Sequence, residues 1–316
     1  MVLQERRCVM NLQHLKYIVE VEHTGSITKA AENLFMGQPN LSKDIKEMEN
    51  EIGFKIFKRS AKGVVPTDKG LEFLQYAKSI LVQINKIESL YKGKQQNAVN
   101  FSILTPRATY ISHAVTEFLK TVANEPGLNI NIKETNSMEV INSITVGEYN
   151  LGIIRFENNY DQFYMSLVNE KNLKSEVLWE FDYKIILSAQ NKFAERENVS
   201  QNELNELIEI IHGDTSVPYL SSAYYNKSNK KSPRQISVYE RGSQFDILSK
   251  IPNSYMWVSP IPEEILMTRG LKQVECTDSK RRIKDVLIYR HDYKLSQYDK
   301  DFTAKLTELI DVLDKK

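Results

Sequence analysis

Residues 36–49 read MGQPNLSKDIKEME, and the periodicity of this stretch decides how the first part of the chain is read. Pro39 suits the opening turn of a helix, where its fixed φ and missing N–H cost nothing. Leu41, Ile45, Met48 and, just downstream, Ile52 then recur at helical spacing and form a stripe to be buried. Pro39, Ser42, Lys43 and Lys46 gather on the opposite face, and Gln38 and Asn40 project from the helix start. Amide side chains pair with adenine, hydroxyls with several bases, and lysines with guanine or phosphate. The stretch therefore supports two readings, a helix that enters a DNA groove by its N-terminal end or a solvated, charged surface helix. Glu47, Glu49 and Glu51 crowd the far end, where no phosphate contact is expected.

Working outward, Leu12, Leu15, Ile18 and Val19 make a first helical stripe. Ser26 caps a second helix, along which Ile27, Ala30, Ala31, Leu34 and Phe35 follow one face. The small Ala30 and Ala31 let the second and third helices approach closely. After Gly53, FKIFKRSAKGVVP reads as two short strands joined through Ser60–Gly63, with Lys58, Arg59 and Lys62 placed to track a nucleic-acid backbone. From Thr67 to about Tyr91 one long helix is expected, with Leu74, Ala77, Leu81, Ile84 and Tyr91 on one face and Phe73, Ile80 and Ile87 on another. Two stripes fit pairing with a second copy of the same helix, or packing within the chain. The polar KGKQQN, 92–97, reads as a linker.

Beyond it, strands are expected at Val99–Leu104, Leu128–Lys133, Leu151–Arg155, Tyr183–Ser188, Glu209–His212, Gln235–Tyr239 and Tyr255–Ser259. Helices fall between them and at Asp299–Leu313. Such alternation implies α/β architecture with largely parallel strands and ligands at their carboxyl ends.

The bulk properties narrow the function classes. A chain of 316 residues with 41% hydrophobic and 26% charged content is an ordinary globular composition of two or three domains. No apolar run spans a bilayer and the N-terminus lacks a secretory h-region, so no membrane association and a cytoplasmic location are expected, with Met10 a candidate natural start. Cys8 and Cys276 suggest neither a disulfide framework nor zinc. The net charge of +1 divides unevenly, with 15 Lys+Arg against 11 Asp+Glu in residues 1–96, which hints at an anionic partner there. GxSxG, P-loop, GxGxxG and HExxH motifs are absent from the sequence, and its five histidines are scattered, so no enzyme, metal or cofactor is expected.

The segment LQHLKYIVEVEHTGSITKAAENLFMGQPNLSKDIKEMENEIGFKIFKRSAKGVVPTDKG closely resembles the N-terminal domain of LysR-type transcriptional regulators over about sixty residues. The matching parts are GSITKAAENL, GQPNLSKDIKEMENEIG and the wing that leads through VPTDKG into the long helix. The resemblance implies an α+β chain in three parts, namely a winged helix-turn-helix over 1–66, a linker and dimerisation helix with hinge over 67–96, and a two-lobed α/β effector domain, similar to periplasmic binding proteins, over 97–316. Lobe I is expected at about 97–160 and 266–316, and lobe II at about 161–265. It also implies that Thr28 and Gln38 contact backbone or bases, that Pro39, Asn40, Ser42, Lys43 and Lys46 line the major groove, and that Arg59 serves the wing. Gly37 departs from the hydroxyl residue common at the helix cap, and Asp44 from a usual amide.

The resemblance extends more weakly over Val99–Lys316, where ILTPRATY, KETNSMEVINSITVGEYNLGIIR and SYMWVSP carry it. The strand ends expected above converge on one cleft. Thr105, Arg107 and Ala108 follow the first strand, Ser137 and Met138 open a helix, and Arg155 ends a strand. His212, Asp214 and Arg241 come from the other lobe. Helix-start N–H groups with Arg107 and Arg155 favour a carboxylate or other small anion. Pairing of Arg155 with an acid such as Glu134, and a purely structural His212, remain the plainer readings. The stretch Asn158–Glu170 is longer than the family usually carries, and reads as a helix over the cleft mouth or as a lengthened crossover.

The function expected from this reading is a ligand-responsive, sequence-specific transcriptional regulator. It binds double-stranded DNA as a homodimer or homotetramer, with RNA polymerase a candidate partner. The alternatives are a small-molecule binding protein without a transcriptional role and a nonspecific DNA-binding architectural protein.

Overall fold

The computed structural model describes residues 11–60, 63–92, 98–213, 232, 234–239, 242–278 and 281–315. The chain divides into two compact units, one of Met1–Gln96 with Val146–Glu148 and the other of Asn97–Thr145 with Tyr149–Lys316. Among the described residues, no helix is long and apolar enough to cross a membrane.

The first unit begins with α1 (Leu12–Thr24), capped by the Asn11 side chain, which accepts from the Gln13 N–H at 2.9 Å. Next come α2 (Ile27–Asn33), capped by Ser26, and α3 (Gln38–Ile52), with Pro39 in its first turn. β1 (Phe57–Ser60) and β2 (Gly63–Pro66) form an antiparallel hairpin, and α4 (Asp68–Lys92) follows. The core is built from Leu15, Ile18 and Val21 of α1, Ala30 and Ala31 of α2, and Leu41, Ile45 and Met48 of α3, closed by Ile56, Leu74 and Ala77. Gly70 is where α4 crosses the chain entering the wing, since a Cβ there would sit 2.0 Å from the Ile56 carbonyl oxygen.

Two features depart from the periodicity. Leu12 is 47% exposed, and Val21 takes a buried place on α1. Phe35, expected on the buried face of α2, is 98% exposed. The helix ends at Asn33, and Phe35 adopts φ +54°, which turns its side chain out between the part-buried Leu34 and Met36.

Glu49, expected at the polar end of α3, is buried instead. One carboxylate oxygen accepts from the backbone N–H groups of Ile56 (2.9 Å) and Phe57 (3.2 Å), and the other accepts from Lys55 Nζ at 2.6 Å. This carboxylate ties the far end of α3 to the start of the wing.

The second unit contains two mixed sheets, each with a short core on either face. The first comprises β3 (Val99–Thr105), β4 (Leu128–Glu134), β5 (Leu151–Glu157), β6 (Leu173–Asp182) and β13 (Arg282–Arg290), in the order β4-β3-β5-β13-β6. Helices α5 (Thr109–Val122) and α11 (Gln297–Asp314) cover one face through Phe118 and Phe302, which meet Phe101. Helices α6 (Ser137–Val146) and α7 (Asp161–Glu170) cover the other, burying Val140, Ile144, Tyr164 and Val168 against Ile154 and Val286. The second sheet comprises β7 (Lys184–Ser188), β8 (Asn198–Val199), β9 (Ile208–His212), β10 (Gln235–Val238), β11 (Ser254–Val258) and β12 (Leu271–Cys276), in the order β10-β9-β11-β7-β12-β8. Its helices are α8 (Gln201–Leu204), α9 (Gly242–Lys250) and α10 (Glu263–Thr268).

The seven expected strands are present, β6, β8, β12 and β13 are additional, and both sheets are mixed rather than largely parallel. β13 runs antiparallel to β5 and β6, and β7 antiparallel to β11 and β12. The lobe limits shift for the same reason. Residues 161–182, assigned to lobe II by the sequence reading, belong to lobe I, because α7 packs on its sheet and β6 pairs with β13. Residues 271–276, assigned to lobe I, belong to lobe II through the β12–β7 pairing. Asn158–Glu170 is thus a crossover of lobe I, a single 3-10 turn followed by α7. The chain passes between lobes at Tyr183 and Arg281, whose backbones are joined by a 3.0 Å hydrogen bond.

Replacing Glu49 with Ala leaves two wing N–H groups without their acceptor and is expected to cost about 2–3 kcal/mol. Calorimetry of the full chain should record this as a lower melting temperature of one transition, with the other unmoved.

Candidate functional site

The polar face of α3 is set by its burial pattern. Leu41, Ile45 and Met48 are sealed in the core, so Gln38, Pro39, Asn40, Lys43 and Lys46 are left exposed and Ser42 half-buried. Thr28 on α2 and Arg59 on β1 are exposed as well. All eight sequence-predicted nucleic-acid residues therefore present surface. Lys43 lies 3.7 Å from Glu47 one turn on, an exposed pair that holds the lysine loosely. Gly37 caps α3 without a side-chain hydrogen bond, so the helix presents N–H groups not engaged by a capping side chain. Lys62 lies outside the described residues.

The cleft of the second unit is built on a buried ion pair. Arg155, two residues before the end of β5, donates from Nε to Asp285 Oδ1 at 2.7 Å and from Nη2 to Oδ2 at 2.5 Å. The Tyr110 hydroxyl donates to the same carboxylate, and the guanidinium lies over the rings of Tyr110 and Phe181. Asp285 is completely buried. Burial opposes the Arg155 charge, but attraction to Asp285 outweighs it and holds Arg155 well above its ordinary pKa. Burial also pushes the Tyr110 phenol well up, and the Asp285 charge adds to the shift. The acid partner of Arg155 is thus Asp285 on β13, and not Glu134.

Four of the expected cleft residues, Arg107, Ala108, Arg155 and His212, line one cavity of about 50 Å³. Arg107 Nη2 reaches across to the Tyr239 carbonyl at 3.4 Å, and His212 Nδ1 lies 2.6 Å from Gln244 Nε2. This space holds a few waters or a small ion, so a larger ligand needs the lobes apart. The others are not brought there. Thr105 is buried and its carbonyl accepts from Thr135 N–H. Ser137 is spent on the backbone of Arg155, donating to its carbonyl and accepting from its N–H, while Met138 packs against the lobe I core. Asp214 and Arg241 lie outside the described residues.

Several cleft residues escaped the sequence reading. Tyr183, Gln244 and Trp257 line the same cavity. Arg281 grips Glu157 with Nε at 3.0 Å and Nη2 at 2.6 Å, and its guanidinium lies over the rings of Tyr183 and Trp257. It therefore joins lobe I to lobe II at the crossing. A signal existed for Asp285, since an acid inside the apolar strand RIKDVLIYR has no place in a core without a cationic partner. Substituting Asp285 with Ala would leave the Arg155 guanidinium buried and unpaired, and is expected to cost about 3–5 kcal/mol. Thermal unfolding of the full chain checks this, and the double replacement of Arg155 and Asp285 by Met and Leu should recover most of the loss.

Comparison with known proteins places this geometry. Residues 12–71 match the family model described as bacterial regulatory helix-turn-helix protein, lysR family. The chain is 29% identical over 153 residues to the nitrogen assimilation regulatory protein nac of Klebsiella aerogenes, covering 46% of this chain and 48% of that protein. It is 39% identical over 83 residues to the regulator BenM of Acinetobacter baylyi, covering 26% of this chain and 27% of that one. The chain thus matches about half the length of the first relative and about a quarter of the second. Full-length CbnR, solved with its target DNA, shares the fold with a TM-score of 0.54 at 14% identity, over 95% of this chain and all (100%) of that one. Residues 12–71 thus form a helix-turn-helix similar to that of the lysR family of bacterial regulatory proteins, and a two-lobed α/β unit follows it along the chain.

Proposed function

We propose that the protein is a ligand-responsive transcriptional regulator that reads double-stranded DNA with α3. The observation that carries this is the division of α3 into a sealed apolar face and an exposed face of Gln38, Pro39, Asn40, Ser42, Lys43 and Lys46. Amides at the helix start reach base edges, while Lys43, Lys46 and, from the wing, Arg59 meet phosphate or guanine. Asp44 adds a carboxylate able to accept from a cytosine amine. CbnR, a protein of the same fold, was solved on its target DNA, which supports this use of the fold.

A homodimer joined through α4 accounts for the exposed Leu71, Tyr76, Ile80 and Ile87 on that helix. Further assembly to a tetramer is part of the same reading, with half-sites spaced about 34 Å apart or a multiple of it. RNA polymerase is the partner through which such a complex acts on transcription.

The effector is a small molecule, and its anionic group is met by Arg107 and the opening turn of α5, whose cap Ala108 offers no side-chain acceptor. Arg155 is already matched by Asp285, so its role is to shape the cleft floor rather than to hold the anion. Occupancy changes the protein only as far as it favours one lobe arrangement over another.

In a mobility-shift assay with DNA selected by the parent protein from a random pool, Lys43→Ala and Ser42→Ala should weaken specific binding about tenfold or more without lowering the melting temperature. Variants that bind like the parent would sink the assignment to α3. Thermal-shift screening of the full chain should find small carboxylates more stabilising than their neutral analogues, by about 2–3 kcal/mol at a hundredfold excess over Kd. Arg107→Ala should remove most of that shift, and equal stabilisation by neutral analogues would count against an anion site.

A further inference from the structure

Besides the Arg281 crossing, lobe I and lobe II also meet at α5. His113 Nε2, on α5, lies 3.4 Å from Glu264 Oε1 on α10. His113 lines two cavities that run between α5 and lobe II. One, of about 490 Å³, is shared with Phe245, Ile265 and Arg269, and the other, of about 920 Å³, with Ile261, Leu271 and Met267. Solvent therefore reaches between the lobes here, and a pair of side chains rather than apolar packing joins them.

The charges around His113 make this pair sensitive to protons. On its own helix Glu117 follows one turn later, held below its ordinary pKa chiefly by the hydrogen bond from Lys120, with the His113 charge contributing. α11 brings Lys305, which lies 3.2 Å from Glu308. α10 brings Glu263 and Glu264, and Arg269 just past its end lies over the Phe245 ring. Glu195, Arg196, Glu197 and Lys272 line the larger cavity with His113, and Arg196 is bound to Glu203 at 2.5 Å. Lys120, Lys305 and Arg196 thus each have a carboxylate within their own lobe, whereas the Glu264 carboxylate meets His113 across the gap.

Imidazole gains its charge as pH falls from about 8 to 5. Glu117 stays beside His113 when the lobes part, because both ride on α5, but Glu264 leaves with lobe II. The arrangement in which the lobes touch therefore adds a carboxylate beside His113 and binds the proton more tightly, so falling pH favours it. Glu264 is 69% exposed, and water screens the attraction to about two- to fivefold in the ratio of closed to open lobes.

We propose that His113 and Glu264 form a pH-sensitive latch that draws the two lobes together as pH falls. The latch rests on neither the DNA reading nor the effector reading, and it acts on the same lobe equilibrium that ligand occupancy shifts.

The test reads the distance between the latch helices in the full-length protein by double electron–electron resonance. Nitroxides are placed at Asn124→Cys, past the end of α5, and Met267→Cys on α10, both exposed positions, with Cys8→Ser and Cys276→Ala removing the native thiols. Dilution of labelled with unlabelled chains restricts the signal to pairs within one chain. From about pH 8 to about pH 5.5 the population at shorter distance should gain about two- to fivefold over the longer one. His113→Gln and Glu264→Gln, one from each lobe, should each remove that gain, and the double variant should lose no more than either. Molar salt should shrink the gain in the parent, because the pair is exposed. Where His113→Gln melts below the parent, Glu264→Gln, on an exposed side chain, decides the matter. Distances that ignore pH in the parent, a shift to longer distance at low pH, an undiminished gain in Glu264→Gln, or a gain that survives molar salt each overturns the latch.

Discussion

A carboxylate buried in the middle of a strand must be matched or expelled, and Asp285 is matched three ways. Two guanidinium nitrogens of Arg155 and the Tyr110 hydroxyl converge on it. These residues come from β13, β5 and α5, so one charge satisfies its solvation by joining a returning strand, a neighbouring strand and the helix that covers them. β13 is also the strand on which the chain re-enters lobe I from lobe II. A bulge at Asp285/Val286 interrupts its pairing with β6 beside the acid, and such bulges re-aim side chains. The result is a rigid cleft floor made of a charge pair already neutralised, with Phe181 stacked below it. At the crossing, Arg281 grips Glu157 and lies over Trp257, and so ties the two lobes together.

The helix-turn-helix unit uses the same device at smaller scale. Glu49 holds the wing to α3 by accepting two backbone N–H groups that the hairpin leaves unsatisfied at its start. Gly70 lets α4 pass against the Ile56 carbonyl, where any side chain would collide. Helix and wing are thereby set by a carboxylate and a missing side chain, and the polar face of α3 need satisfy nothing inside the protein. That freedom is what makes its residues available to a partner.

The short turn between α2 and α3 reverses the expected chemistry twice within three residues. Phe35 holds a left-handed position suited to glycine, and Gly37 holds a cap position suited to serine. Neither choice helps the turn itself. At Gly37 a Cβ would meet only ordinary contacts, Asn40 Nδ2 at 3.7 Å and Pro39 Cδ at 3.8 Å. A serine therefore fits there, and the glycine is not required by packing. Both choices set local stability aside beside the exposed face of α3.

Helix periodicity alone located α1, α3 and the long α4, because an amphipathic stripe repeats over many residues and needs no knowledge of what covers it. The exposed face of α3 was legible for the same reason, and the resemblance to the lysR family gave its residues their expected roles. Strands with continuous apolar runs, such as Leu151–Arg155, were equally plain. β6, β12 and β13 were not, since LKSEVLWEFD, LKQVEC and RIKDVLIYR place charges within the run and become strands only through neighbours far along the chain, and the two-residue β8 is too short to show any pattern. Without them the lobe limits could not be drawn, for a lobe is defined by which strands pair. Phe35 obeyed the periodicity of α2 and still left the core, because the helix ended two residues earlier at a turn decided by backbone hydrogen bonds. The partner of Arg155 was likewise beyond the sequence. Many acids were available to it along the chain, and only the packing of β13 beside β5 brought Asp285 within hydrogen-bonding reach.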